Sequence, residues 1–421
     1  MSYQAPKNYT ALDVEMVTGY LARNPEISKL MGGTPENWTA EEVGDGNLNL
    51  VFIVKNAEKS VIAKQALPYV RLVGESWPLP LSRAYFEHEA LSRQETAVPG
   101  LTPKILHYDH EMALIVMEHL TPHIILRKGL IAGTRYPNLA DHAGRFMAET
   151  LFSYSDLALD GETKKMNVAT FSENHVMCAL TEQVIFDDPY FQAELNHHTT
   201  PQLDDVVSDI QQDTALKVAI QELKTLFMSK TQTLLHGDLH SGSIMVTDSD
   251  TRVIDPEFAF YGPMGFDVGA LMANLLLAYF SQKGHADGAD DRADYSEWLL
   301  ELLLQTYAVF EAEFSTLWRE RRVGSLYPEA LFAANDSAAS ERALNAYLRD
   351  VMVDSIGFAG AKMVRRIVGI AHVEDLESIE DEDIRAECEK RALSLARILI
   401  TDRACFSSFD DVVRMAREIN T

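Results

Sequence analysis

The sequence is poor in basic residues, in cysteine and in long apolar runs. Lys and Arg number 37 against 63 Asp and Glu, so the 421 residues carry a net charge of -26. Such a field repels phosphate backbones and anionic lipid at long range, which argues against nucleic-acid and membrane partners. An anionic small molecule can still bind where Lys, Arg, backbone N–H groups and a metal ion gather locally. The three cysteines, Cys178, Cys388 and Cys405, lie far apart and are odd in number. They show neither zinc-site spacing nor a disulfide framework, and a reducing cytoplasm is the expected location. The longest apolar stretch, Ala270 to Phe280, is interrupted by Asn274, and the start, Met1 to Thr10, is polar. No membrane anchor or signal peptide is therefore expected.

What is present is enough apolar material, 47% of the residues, for a substantial core divided between two lobes. The first third has strand character. Leu48 to Lys55 and Val61 to Lys64 are β-rich runs flanking the polar turn Asn56-Ala57-Glu58-Lys59, and Leu114 to Met117 reads as a buried strand. Between them Ser82 to Gln94 has helical spacing, with Tyr85, Phe86, Ala90 and also Glu89 on one side. A carboxylate on an apolar face needs a partner. From Leu120 onward the pattern is helical, with helices expected at Asp267–Phe280, Tyr295–Phe314, Ala338–Val353, Ser355–Ile370 and Glu382–Ile400. The acidic stretches Gly284–Asp294 and Glu374–Asp381 read as solvated linkers. One β-like island interrupts the helices, formed by Leu234-Leu235, Ile244–Thr247 and Arg252–Ile254.

That island carries the densest chemistry: His236-Gly237-Asp238-Leu239-His240-Ser241-Gly242-Ser243-Ile244, then Ile254-Asp255-Pro256-Glu257. Phosphoryl transfer to a hydroxyl needs one carboxylate to orient the acceptor and others to hold Mg2+ against nucleotide phosphates. Asp238 supplies the first. Asp255 and Glu257, two apart in an extended segment, point the same way and can converge on one metal. His236 and His240 are expected to brace the loop, and Asp267 to cap the following helix and tie it to the loop.

These motifs resemble the aminoglycoside phosphotransferase and choline kinase branch of the protein-kinase-like superfamily, whose loop reads HGDxHxxN. Within it the Gly-Ser-Ile ending and the Asp-x-Glu metal motif are similar to bacterial 5-methylthioribose kinases. The resemblance extends over most of the chain. It implies an α+β bilobal fold, ATP and Mg2+ as cofactors, Asp238 as catalytic base, a homodimer, and 5-methylthioribose as substrate, phosphorylated to the 1-phosphate in methionine salvage. Ser243 stands where the superfamily has an Asn ligand, so Asp255 and Glu257 are taken as the metal pair. Kinases of choline, aminoglycosides or homoserine keep the same core, and a scaffold with a dead site is the reading from another class.

On the nucleotide side, the turn Gly44-Asp45-Gly46-Asn47 would let backbone N–H groups approach phosphates. Val61-Ile62-Ala63-Lys64 resembles the kinase strand whose Lys contacts phosphates and pairs with a helix Glu. Glu89 is the expected partner and Glu87 the alternative. Met117-Glu118-His119-Leu120 resembles the hinge that binds adenine through its backbone, placing Glu118 and Leu120 near the base. For the sugar, the resemblance points to Trp77, on a closing loop Gly74–Pro80, and to Arg365-Arg366 in a late helix, where one guanidinium at least should edge buried surface. The expected division is 1–117 for the nucleotide lobe, 118–123 for the hinge and 124–421 for the catalytic lobe.

Overall fold

A computed structural model describes residues 6–44, 48–70, 74–332 and 337–420. Of the turn expected to cradle phosphate, Gly44 is described, whereas Asp45, Gly46 and Asn47 lie outside the described residues.

The N-terminal part is an antiparallel sheet. Its strands are β1 (Thr39–Glu42), β2 (Asn49–Lys55) and β3 (Ser60–Ala66), then, after a small hairpin of β4 (Tyr69–Val70) and β5 (Gly74–Pro78) and the helix α1 (Arg83–Ala97), β6 (Ile105–Asp109) and β7 (Leu114–Glu118). The order is β1-β2-β3-β7-β6. β2 and β3 join through the Asn56–Lys59 turn, closed by a hydrogen bond from Asn56 N to Lys59 O of 2.9 Å. One face, with Phe52, Val54, Val61, Ala63, Leu114 and Val116, packs against two short helices, Met16–Ala22 and Pro25–Met31. Strand alternation then turns Lys64 to the other face, where α1 lies.

The rest is mainly helical. Its chief helices are α2 (Leu139–Ser153), α3 (Met264–Ser281), α4 (Ala293–Glu320), α5 (Ser337–Val368) and α6 (Glu382–Thr401). Every residue of α3 is buried, so the helix Met264–His285, long and apolar enough to cross a membrane, is a core helix instead. The two helices expected at 338–353 and 355–370 are one: no proline or cap separates them, and Asp354 at the join pairs with Lys230 at 2.6 Å. Gly360 lets this helix approach α6, since a Cβ there would lie 2.6 Å from Ala396 O. The stretch Glu374–Asp381 is not a solvated linker, because it holds a short helix, Glu374–Glu377, in which Asp375 is buried beside Arg127.

Two small ladders hold the functional loops together. β8 (Ile124–Ile125) pairs with β10 (Ile244–Val246), which pairs with β11 (Thr251–Val253), while β9 (Thr233–Leu234) pairs with β12 (Tyr261–Gly262). The loop after β9 and the loop after β11 thereby lie side by side, joined by hydrogen bonds from Leu235 N to Phe260 O (2.8 Å) and from Ile254 N to Ser243 O (2.9 Å).

Candidate active site

The loop His236–Ser243 is held by α3, by the loop after β11 and by its own histidines. Asp267, in the first turn of α3, accepts from His236 N at 2.7 Å and Gly237 N at 3.0 Å. It therefore ties the loop to α3 as expected, but it caps the loop and not the helix, whose N-terminus has no side-chain cap. Gly237 has φ +86°, and a Cβ on it would lie 2.2 Å from Phe258 O, so only glycine permits the two loops to touch. His236 Nε2 donates to Ile254 O at 2.9 Å. His240 Nδ1 accepts from Gly242 N at 2.9 Å, which leaves its proton on Nε2, 3.2 Å from Asp238 Oδ2. Burial, together with Arg366 and Arg127, lowers the His240 pKa to about 3 against the pull of Asp238, so the ring is neutral.

Asp238 is ringed by donors. Lys362 Nζ lies 2.9 Å from Oδ1, and Arg366 Nη2 lies 3.8 Å from Oδ2. Burial works against its ionisation, but Lys362, His240 and Arg366 outweigh burial and hold the carboxyl well below the usual range. Ser243 Oγ donates to the Asp238 carbonyl at 3.0 Å, which accounts for this residue structurally.

The second loop delivers Asp255 in a left-handed conformation, φ +70°, which aims its side chain at β3. There Lys64 contacts Asp255 directly and meets Glu87 Oε1 at 2.7 Å. Glu257 accepts from Arg83 Nε at 3.2 Å and Asn49 Nδ2 at 3.0 Å, both on Oε2. Arg83 is fully buried and also donates to the carbonyls of Leu48 and Leu67, each at 2.7 Å, which anchors the carboxylate to the sheet. Carboxylate oxygens of Glu87, Asp255 and Glu257 lie within 4.8 Å of one another. Burial, then the opposing charges of Asp255, Glu87 and Glu257, act on Lys64, and the carboxylates prevail, raising its pKa. Burial and mutual repulsion push Glu87 and Glu257 upward. Three crowded hard oxygens with one ammionium among them suit a small divalent cation such as Mg2+.

Glu87, not Glu89, is the partner of Lys64. The buried face of α1 is Arg83, Ala84, Phe86, Glu87, Ala90, Leu91 and Gln94, a stripe that includes charged groups and so is misplaced by apolar pattern alone. Glu89 faces away and pairs with Arg93 at 3.3 Å. Trp77 also differs from expectation. It lies on strand β5 of the β4–β5 hairpin and is half-buried against the cluster of Leu79 and Met177. Glu118 ends β7, where its Oε2 accepts from Lys104 N at 3.2 Å, and Leu120 is buried just beyond.

Arg365 and Arg366 both turn inward. Arg366 Nη1 donates to Ala371 O at 3.0 Å, while Arg365 Nε and Nη1 and Arg366 Nε are buried with no hydrogen-bond partner among the described residues. Orphaned buried donors of this kind call for an acceptor from outside the chain.

A family model described as "Phosphotransferase enzyme family" matches residues 39–307. A methylthioribose kinase of Escherichia coli O45:K1 (strain S88 / ExPEC) is 48% identical over 99% of this chain and 100% of its own length. The chain belongs to the methylthioribose kinase family. Methylthioribose kinase 1 of Oryza sativa subsp. japonica is 47% identical, covering 97% of this chain and 95% of that one. A solved glucosamine kinase in complex with glucosamine, ADP and inorganic phosphate aligns with a TM-score of 0.46 at 14% identity, over 90% of this chain and 84% of that one. The broad phosphotransferase match spans both loops but ends before α5. Lys362, Arg365 and Arg366 lie beyond that match, in a part of the chain that the methylthioribose kinase relatives span.

Sequence reasoning missed Lys362, Arg83 and Asn49. Lys362 did leave a signal: with Arg365 and Arg366 it forms an i, i+3, i+4 basic patch in an apolar run, one helical face. Arg83 and Asn49 left none, because their role depends on a carboxylate far along the chain.

Proposed function

We propose that this phosphotransferase moves the γ-phosphoryl group of ATP to the 1-hydroxyl of 5-methylthioribose, giving ADP and the 1-phosphate in methionine salvage. The observation that carries the reading is Asp238, an ionised carboxylate among orphaned cationic donors, on a loop bonded to the one that places Asp255 against Lys64. The names of the full-length relatives supply the sugar.

In this reading residues 1–117 form the nucleotide lobe, 118–123 the hinge and 124–421 the catalytic lobe. Backbone groups near Glu118 and Leu120 bind adenine, and those of Gly44, Asp45, Gly46 and Asn47 approach the phosphates. Lys64, held by Glu87, donates to the phosphate oxygens. Asp255 and Glu257 would hold Mg2+, which supplies charge neutralisation on those oxygens. Asp238 accepts the hydrogen bond of the sugar hydroxyl, aligns it for in-line attack and takes its proton as the bond to phosphorus forms. Arg365 and Arg366 offer their free donors to the equatorial oxygens of the transferring group. The β4–β5 hairpin closes Trp77 over the sugar and excludes water. The enzyme works as a cytoplasmic homodimer.

The test is ADP release, coupled to NADH oxidation, over a panel of methylthioribose, ribose, choline, homoserine and kanamycin. Methylthioribose is expected to be the preferred acceptor, with phosphorus NMR locating the product ester at C1. Turnover of choline or kanamycin with none of methylthioribose would defeat the assignment.

A further inference from the structure

Lys362 lies on α5, 124 residues beyond Asp238 in sequence, yet is buried with its ammonium on Oδ1 at 2.9 Å. The same ammonium sits 4.4 Å from the centre of the Phe266 ring, so aromatic packing from α3 limits where it can go. The other carboxylate oxygen faces His240 Nε2 at 3.2 Å. The carboxylate is consequently gripped at both ends, while each oxygen keeps a second lone pair free for a hydroxyl.

The charges around it are unequal in what they can do. His240 is neutral and contributes a dipole only. Arg366 stands 3.8 Å away and already donates to Ala371 O. Arg365 and Arg127 lie farther off, His236 belongs to the same loop and is driven neutral mainly by burial, and Asp267 is engaged by backbone N–H groups. Burial lowers the Lys362 pKa from its ordinary value while Asp238 pulls it back up, and among the described residues Lys362 is the one lysine or arginine in hydrogen-bond contact with Asp238. A buried pair of this kind stabilises a fold little beyond what an apolar pair of equal volume would, so stability alone does not account for a lysine here.

We propose that Lys362 is a positioning residue for phosphoryl transfer, fixing the orientation of the Asp238 carboxylate and supplying the counter-charge that keeps it an anion. The inference rests on the kinase reading above. Removing the ammonium leaves the half-buried carboxylate without its nearest counter-charge on that side, so its proton affinity rises. Lys362 acts through Asp238 and not on ATP.

The experiment is the pH dependence of kcat, at saturating ATP and methylthioribose, for the full chain and for Lys362→Met, Lys362→Gln and Lys362→Arg. In the two neutral variants kcat is expected to fall by about 10- to 100-fold, with the KM for ATP within about threefold, and the acid limb to move up by about one pH unit or more. Lys362→Arg is expected to return the limb to within about half a unit of the wild type, because the charge is restored. Lys362→Gln keeps a donor for Oδ1 and carries the measurement if Lys362→Met does not fold. An acid limb that stays in place in a folded neutral variant, or that Lys362→Arg does not restore, overturns the proposal. Failure of both neutral variants to fold would mark the pair as purely structural and overturn it too. A wild type inactive on methylthioribose would defeat the functional reading instead, which keeps the two failures apart.

Discussion

Glu87 and Glu89 stand two apart on one helix, about 200° around its axis, and only one can face the sheet. Because Glu87 braces Lys64, Glu87→Gln should raise the KM for ATP or lower kcat by about 10-fold or more, whereas Glu89→Gln should stay within about twofold in steady-state kinetics. At Asp238 two effects coincide. Asp238→Asn should lower kcat by about 100-fold or more, the scale of a lost general base. It should also destabilise the fold at neutral pH, by ~3 kcal/mol, since Lys362 and Arg366 lose their anion. The sign with pH follows from the depressed carboxyl. Its contribution is present above the ordinary carboxylate pKa and is lost as pH falls through the lower folded value, so the melting curves of wild type and variant should converge in acid. The candidate residues Asp238, Asp255, Glu257 and Lys64 could be picked out of the sequence because each lies in a short segment of recognisable pattern, and the structure brings Asp255, Glu257 and Lys64 together. Lys362 could not, because its meaning appears only when α5 reaches the loop after β9.

Elements set the tolerances around that chemistry. Gly237 lies where two loops touch, and Gly237→Ala must both adopt φ +86° and clear Phe258 O. It should cost about 2 to 4 kcal/mol in chemical denaturation and take most of the activity with it. On α6, Glu389 is buried with Oε2 unpartnered, and burial raises its pKa to about 7 although Thr199 and Arg385 pull the other way. A carboxyl raised in the folded state removes stability as pH climbs from the unfolded value toward 7. Glu389→Gln should therefore melt above wild type at pH 8, by up to about 3 kcal/mol, and match it near pH 4.5, as scanning calorimetry would read. Helices with an apolar stripe were placed correctly from periodicity. α5 was split in the sequence reading because residue pattern weakens near Asp354, a polar group satisfied by Lys230 from another helix.

At the scale of the molecule, a chain of net charge -26 still gathers cations at the candidate site, Lys64 beside Glu87 and Asp255, and Lys362 and Arg366 beside Asp238. If ATP bridges the sheet and the helical part through Lys64 and Asp255, Mg-ATP should raise the melting temperature, with about 2.7 kcal/mol of stabilisation at 100-fold excess over Kd. Lys64→Met should abolish that gain in thermal shift measurements. The sequence by itself determined the class of chemistry, the two acidic loop segments and the sheet-then-helix order, because these depend on residue type at short spacing and on local periodicity. The tertiary structure alone decided that Glu87 faces Lys64, that Arg83 and Asn49 hold Glu257, that Trp77 sits in a sheet, and that Lys362 meets Asp238. Apart from the local hairpin of Trp77, each of those is a contact between segments distant in sequence in which a charge gains its partner only after the core has brought the elements together.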